Sequence, residues 1–139
     1  MMRDLASNIA LRPVIAPAAN NNIGTTPLVG TVIDRLGFNS VVYAIATGTL
    51  SDINATYAVL IEDSDEAGSG FVPVPDEYLT GTEVEAGFNF GDDGETRKIG
   101  YRGTKRYSRL TITPAGADSG DSPIAAVAVL GDALNRPVS

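Results

Sequence analysis

Short apolar runs, each broken after a few residues by glycine, proline, asparagine or aspartate, recur through most of this 139-residue chain. That rhythm restricts the fold more than any single motif. Runs of about four to eight residues bounded by turn formers suit strands and are too short for stable helices. A first strand is expected from Leu28 to Leu36, closed by the turn Gly37-Phe38-Asn39. In the second, Ser40 to Thr47, Val41, Tyr43 and Ile45 alternate with Val42, Ala44 and Ala46. Both of its faces are apolar, which predicts a central place in a sheet.

Thr56 to Glu62 makes a third strand, with Tyr57, Val59 and Ile61 on one face. The acidic stretch from Asp63 to Gly70 then reads as a loop. Phe71-Val72-Pro73-Val74-Pro75 is an extended edge segment, because each proline lacks an N–H and biases its predecessor away from helix. Glu83 to Phe90 is a weaker strand, and Asp92-Asp93-Gly94 supplies a turn. Thr96 to Tyr101 and Arg106 to Thr113 flank the polar connection Arg102-Gly103-Thr104-Lys105, the pattern of a β-hairpin. Ile124 to Leu130 is apolar on both faces. Its length and its bounds at Pro123 and Gly131 favour strand over the helix that its alanines would suit.

About seven to eight strands of this kind predict an all-β fold, an antiparallel β-sandwich or jelly-roll-like barrel, as one domain over 28–139. Residues 1–27 differ. The proline-, alanine- and asparagine-rich run from Arg12 to Asn22 is either an extended N-terminal arm that orders on a partner or a first edge strand from Asn8 to Pro17.

Composition narrows the chemistry. The chain has no cysteine and no histidine, so disulfides, thiolate ligands, cysteine nucleophiles and the commonest zinc ligand and neutral-pH base are all missing. There is no phosphate-binding glycine loop and no nucleophile elbow. The expectation is a protein that is not an enzyme and takes no cofactor or metal. Met1 to Ile9 lacks the apolar core of a signal peptide, and no run approaches a membrane span, so a cytoplasmic product without a membrane partner is expected. The cluster Glu62-Asp63-Ser64-Asp65-Glu66 invites a calcium reading. Ala67 and Val74, however, stand where an EF-hand loop needs oxygen ligands, so a solvated loop is the better reading.

Charge carries the most information about function. The net charge is −7, yet six of the ten basic residues, Arg97, Lys98, Arg102, Lys105, Arg106 and Arg109, fall within thirteen positions. On a hairpin they would concentrate positive potential at one end of the domain. With Tyr101 and Tyr107 among them, and Arg3 and Arg12 on the arm, they are the candidate partner-binding residues. A solvated edge guarded by cations is the plain alternative. An acidic protein partner suits the cluster better than nucleic acid, because the chain as a whole is strongly negative.

The stretch from Lys98 to Ile112 resembles small proteins encoded near the major capsid gene of tailed phages and prophages. Met2 to Ile9, Glu62 to Asp65 and Ile124 to Gly131 are similar to the same group. The resemblance implies a β-sandwich virion protein of the phage head, a capsid decoration or cement protein made in the bacterial cytoplasm. It would bind the major capsid protein at the capsid surface as a homo-oligomer such as a trimer. Alternatives are a head–tail connector, a neck or tail component, or a carbohydrate- or surface-binding module that uses Tyr43, Tyr57, Tyr78, Tyr101 and Tyr107.

Overall fold

A computed structural model describes residues 3–17, 26–117 and 120–138. Its strands are β1 (Ala10–Ile15), β2 (Leu28–Val29), β3 (Ile33–Asp34), β4 (Phe38–Thr47), β5 (Thr56–Ser64), β6 (Val72–Pro73), β7 (Leu79–Thr80), β8 (Phe88–Asn89), β9 (Thr96–Tyr101), β10 (Tyr107–Ala115) and β11 (Ile124–Ala133). One short helix, α1 (Glu83–Ala86), precedes β8.

The strands form two antiparallel sheets packed as a sandwich. Sheet one runs β1-β11-β4-β9-β7, and sheet two runs β2-β10-β5-β6. Strand β3 joins β2 along one side of β10, and β8 joins β6 along the far side of β5. With each of these short pairs taken as one strand, the main strands in chain order lie 1-8-3-6 in sheet one and 2-7-4-5 in sheet two. That order is a jelly roll. Its core lies between the sheets, where Tyr43, Ile45, Ile61, Ile99, Leu110, Ile112 and Leu130 are fully buried.

The expected strands at 40–47, 56–62 and 124–130 are present and longer than expected. Strands β4 and β11 are central in sheet one, as two apolar faces require. Phe71 to Pro75 contributes the edge strand β6.

Four features differ from the sequence reading. Thr96–Tyr101 and the arm beyond it are not a hairpin. Strand β9 pairs with β4 and β7 in sheet one, whereas β10 pairs with β5, β2 and β3 in sheet two. The connection folds over Tyr101, and a Cβ at Gly103 would stand 2.3 Å from its phenol oxygen. Only glycine allows the chain to pass this close. A short polar glycine loop joins strands equally well within one sheet or across two, so its composition does not separate the cases.

The second difference is at Glu83 to Phe90, where the first half is helical. Thr82 caps it, its hydroxyl accepting the N–H of Glu85 at 3.1 Å, and Glu83 and Glu85 sit in the first turn. Thr82-Glu83-Val84-Glu85 has the spacing of a capping box, which outweighs the weak strand pattern. Third, Leu28 to Leu36 is broken into β2 and β3. At the break Gly30 donates to the Leu110 carbonyl at 2.7 Å and Thr31 to the Val14 carbonyl at 3.0 Å, so the chain turns to close the gap toward β1. A Cβ on Gly30 would lie 2.6 Å from both Leu110 O and Val14 Cγ1. Fourth, β5 continues through Asp63 and Ser64, which are buried strand residues rather than loop.

Of the two readings of the first 27 residues, Ala10–Ile15 is an edge strand packed on its own domain through β11. The asparagine-rich part of the run, 18–25, lies outside the described residues.

Candidate partner-binding surface

Three tyrosines tie the two sheets together through the core. The Tyr43 hydroxyl on β4 lies 2.6 Å from Ser108 Oγ on β10, and that of Tyr57 on β5 lies 2.5 Å from Ser122 Oγ just before β11. The Tyr101 hydroxyl on β9 donates to Asp63 Oδ2 on β5 at 2.7 Å and accepts the N–H of Lys105 at 3.2 Å. Burial raises the Tyr43 phenol well above its ordinary range, with the Ser108 bond opposing. Burial also raises that of Tyr101, and the hydrogen bond and charge of Asp63 raise it further. These three rings are packing residues and cannot present a face to a sugar or a partner. Tyr78 is exposed, and Tyr107 is half-buried with the Arg106 guanidinium 5.0 Å from its ring centre.

The sequence cluster of six cations is divided by the fold. Strand β9 belongs to sheet one and β10 to sheet two, so Lys98 and Arg109 project from opposite faces of the sandwich. Four of the six are held by carboxylates. Arg97 pairs with Asp92 at 3.1 Å and Glu95 at 2.6 Å. Lys105 approaches Asp63 at 3.7 Å. Arg106 meets Asp34 with two bonds of 2.8 Å, and hydrogen bonding from Arg106 first holds the Asp34 carboxyl below its usual range. Arg109 bonds Glu62 at 3.1 Å, directly opposite it in the β10–β5 register, and lies over the Phe71 ring. The cluster read as one hairpin patch is therefore divided between the two sheets, with four of its cations held by carboxylates. Charge counted along the chain could show only the pairing of Arg97 with Asp92 and Glu95; the acids that hold Lys105, Arg106 and Arg109 lie far away in sequence.

Arg12 is exposed on β1, three strands from β9 in sheet one, and Arg3 is exposed ahead of the Ala6–Asn8 turn. Arg12 therefore does not join the cluster. A cation outside it, Arg35, bonds the carbonyls of Lys105 at 2.6 Å and Thr104 at 2.5 Å, fixing the loop that crosses between the sheets. An arginine beside a turn gave no signal for that role.

Lys98 and Arg102 differ from the rest of the cluster, since among the described residues no carboxylate pairs with either. Both line one cleft of about 610 Å³ at the β7 side of sheet one, with Gly100 between them in sequence and Glu85 and Ser40 also at its wall. Positions 98, 100 and 102 are two apart, which sets the two cations roughly 13 Å apart along the chain, and Thr80, opposite Gly100 in the β7–β9 register, packs against the glycine between them. Arg102 is steadied by a bond to the Glu77 carbonyl at 3.0 Å.

Beside the cleft, the outward positions of β1, β11 and β4 are apolar apart from Ser40 at the cleft wall. Leu11 is 61% exposed and Val127 41%, and Val42, Ala44, Ala46 and Val129 continue the surface without a charged side chain. The outward face of sheet two carries the Arg109–Glu62 pair instead.

Among the described residues, no three acidic side chains converge to hold a metal ion, and no buried polar side-chain atom lacks a hydrogen-bond partner. No described helix is long and apolar enough to cross a membrane. No protein-family model matches the chain, and no curated protein matches it.

Proposed function

We propose that the chain is a structural protein of a phage virion, a capsid decoration protein that docks on acidic surface of the major capsid shell. The observation that supports this reading best is the pair Lys98 and Arg102, two cations without carboxylate partners among the described residues, which line one cleft of about 610 Å³ in a molecule with net charge −7. Charges already held within the fold have less to offer a partner than charges left available at a cleft. The resemblance of the Lys98 to Ile112 stretch to proteins encoded beside capsid genes points the same way, and so does the jelly-roll topology, which recurs in capsid domains. On a symmetric shell, many copies of one modest contact act together.

Co-sedimentation of the purified protein with preformed major-capsid shells tests the proposal. Binding should saturate at low salt, weaken as salt rises, and fall at least about tenfold in the double variant Lys98→Glu/Arg102→Glu. Arg106→Glu is the control and should stay within about twofold of the parent, since Asp34 already engages that charge. Absence of binding at low salt would rule the proposal out.

A further inference from the structure

We infer that the edge of β9 at Thr96 to Lys98 accepts an extended acidic segment of the partner as an added strand. The inference rests on the proposed function and deepens it, by naming the form in which the capsid protein presents its acids. Backbone groups left without a partner carry it, together with the charge beside them.

Strand β9 pairs with β4 along its whole length, but its other side meets β7 only at Gly100 and Tyr101. Two hydrogen bonds fix which way its backbone groups point. Thr47 donates to the Glu95 carbonyl at 2.9 Å, so residues 95, 97, 99 and 101 turn their N–H and C=O toward β4. Arg102 donates to the Tyr78 carbonyl at 2.7 Å, so the alternate residues, Thr96, Lys98 and Gly100, turn theirs the other way. Strand β7 stops short of Lys98. Gly81 takes a φ of +88° and leads the chain off the edge to Thr82, the cap of α1; glycine is the residue that adopts such a φ without strain. Lys98 is exposed, and its N–H and C=O make no hydrogen bond among the described residues beyond the end of β7. Similar gaps elsewhere are closed from within. On β5, Ile61 donates its N–H to Glu83 Oε1 at 2.9 Å and accepts that of Val74 at 3.0 Å. Beside β1, Thr31 donates to the Val14 carbonyl.

An open strand edge is a template for another extended chain, held through its backbone. Charge selects which chain. The cleft at this edge is lined by Lys98 and Arg102 against one acid, Glu85, in a molecule of net charge −7. Carboxylates are drawn there and repelled by most of the remaining surface. Lys98 and Arg102 are four positions apart on one face, so an extended segment with two acids four residues apart matches both.

The peptide acetyl-Thr-Glu-Thr-Val-Thr-Glu-Thr-amide, titrated at low salt into the isotope-labelled full chain and followed by NMR, is the probe. Amide shifts should saturate with a dissociation constant below about 1 mM. They should concentrate between Thr96 and Arg102, with the Lys98 amide gaining protection from hydrogen exchange. Affinity should fall at least about tenfold in Lys98→Glu/Arg102→Glu. Two further peptides carry N-methyl groups on alternate residues, one on the odd and one on the even positions. An added strand bonds through alternate residues, so one of them should lose at least about tenfold and the other stay within about threefold of the parent peptide. Charge attraction alone would treat the two alike. No saturable binding of the parent peptide at about 1 mM, shifts spread over other strands, or equal affinity of the two methylated peptides would overturn the inference. Capsid co-sedimentation is a separate measurement. Shells that bind a chain whose edge takes no peptide would remove the inference and leave the capsid reading; peptide binding by a chain that ignores shells would leave the edge site and remove the capsid.

Discussion

Replacing Tyr101 by phenylalanine removes one oxygen from the place where β9, β5 and the crossing loop meet. In the parent, that oxygen donates to Asp63, whose side chain is almost wholly buried, and accepts the backbone N–H of Lys105. Phenylalanine fills the same space, so no cavity term arises. What is lost is a hydrogen bond to a buried acid, worth about 1.5–3 kcal/mol when the acceptor is charged. Lys105 cannot replace it. Its ammonium lies 3.7 Å from the other carboxylate oxygen and its side chain is 36% exposed, so solvent screens it. The expected loss is about 2–3 kcal/mol, or about 6–9 °C in thermal midpoint for a domain of this size.

Urea unfolding followed by circular dichroism reads this loss directly, provided the slope against denaturant is unchanged. Combining Tyr101→Phe with Asp63→Asn should cost less than the sum of the single changes, with a coupling of about 1 kcal/mol or more, because the hydroxyl and carboxylate depend on each other. A loss under about 0.5 kcal/mol for Tyr101→Phe, or zero coupling, would show that the bridge between the sheets contributes nothing, and would refute the reasoning.

Gly30→Ala should destabilise by about 2–3 kcal/mol, because the new methyl meets the Leu110 carbonyl oxygen and Val14, and the backbone oxygen cannot step aside; a urea midpoint equal to the parent's would contradict this. Alkaline pH should also weaken the fold. Tyr43 and Tyr101 keep their protons more firmly folded than unfolded, so above the ordinary tyrosine range near about pH 10 the unfolded chain has lost protons that the folded chain retains. Stability from these groups is complete below about pH 10 and declines above it; urea titrations on either side of that pH should show the decline, and a smaller one in Tyr43→Phe.

The strands that were legible in the sequence are those whose pattern has one physical explanation. Val41 to Ala46 and Ile124 to Leu130 are apolar on both faces, and only a central strand satisfies both. The crossing from β9 to β10 was not legible, because alternation reports which side chains face inward and says nothing about which sheet they belong to. That one ambiguity also set the reading of the surface. Taken as a hairpin, Arg97 to Arg109 forms one basic patch; divided between two sheets, it becomes four cations held by carboxylates and one cleft with two available cations. The acids that neutralise Arg106 and Arg109, Asp34 and Glu62, are 72 and 47 residues away, beyond any local rule. The small helix was within reach, since Thr82 and Glu85 have capping spacing, but four residues produce little hydrophobic periodicity.

The jelly-roll order also governs when the molecule can fold. Strand β11, which follows β1, β4 and β9 in the chain, lies between β1 and β4 and, among the described strands, is what links them. Until it has been synthesised, β1 has no partner in its sheet and one edge of β4 is left open. Sheet one therefore completes only once β11 has been made, and its pairings close loops of tens of residues, a slow route compared with zipping hairpins. A ribosome stalled before Ile124 would hold a chain with an open, apolar strand edge, the kind of surface on which nascent chains aggregate.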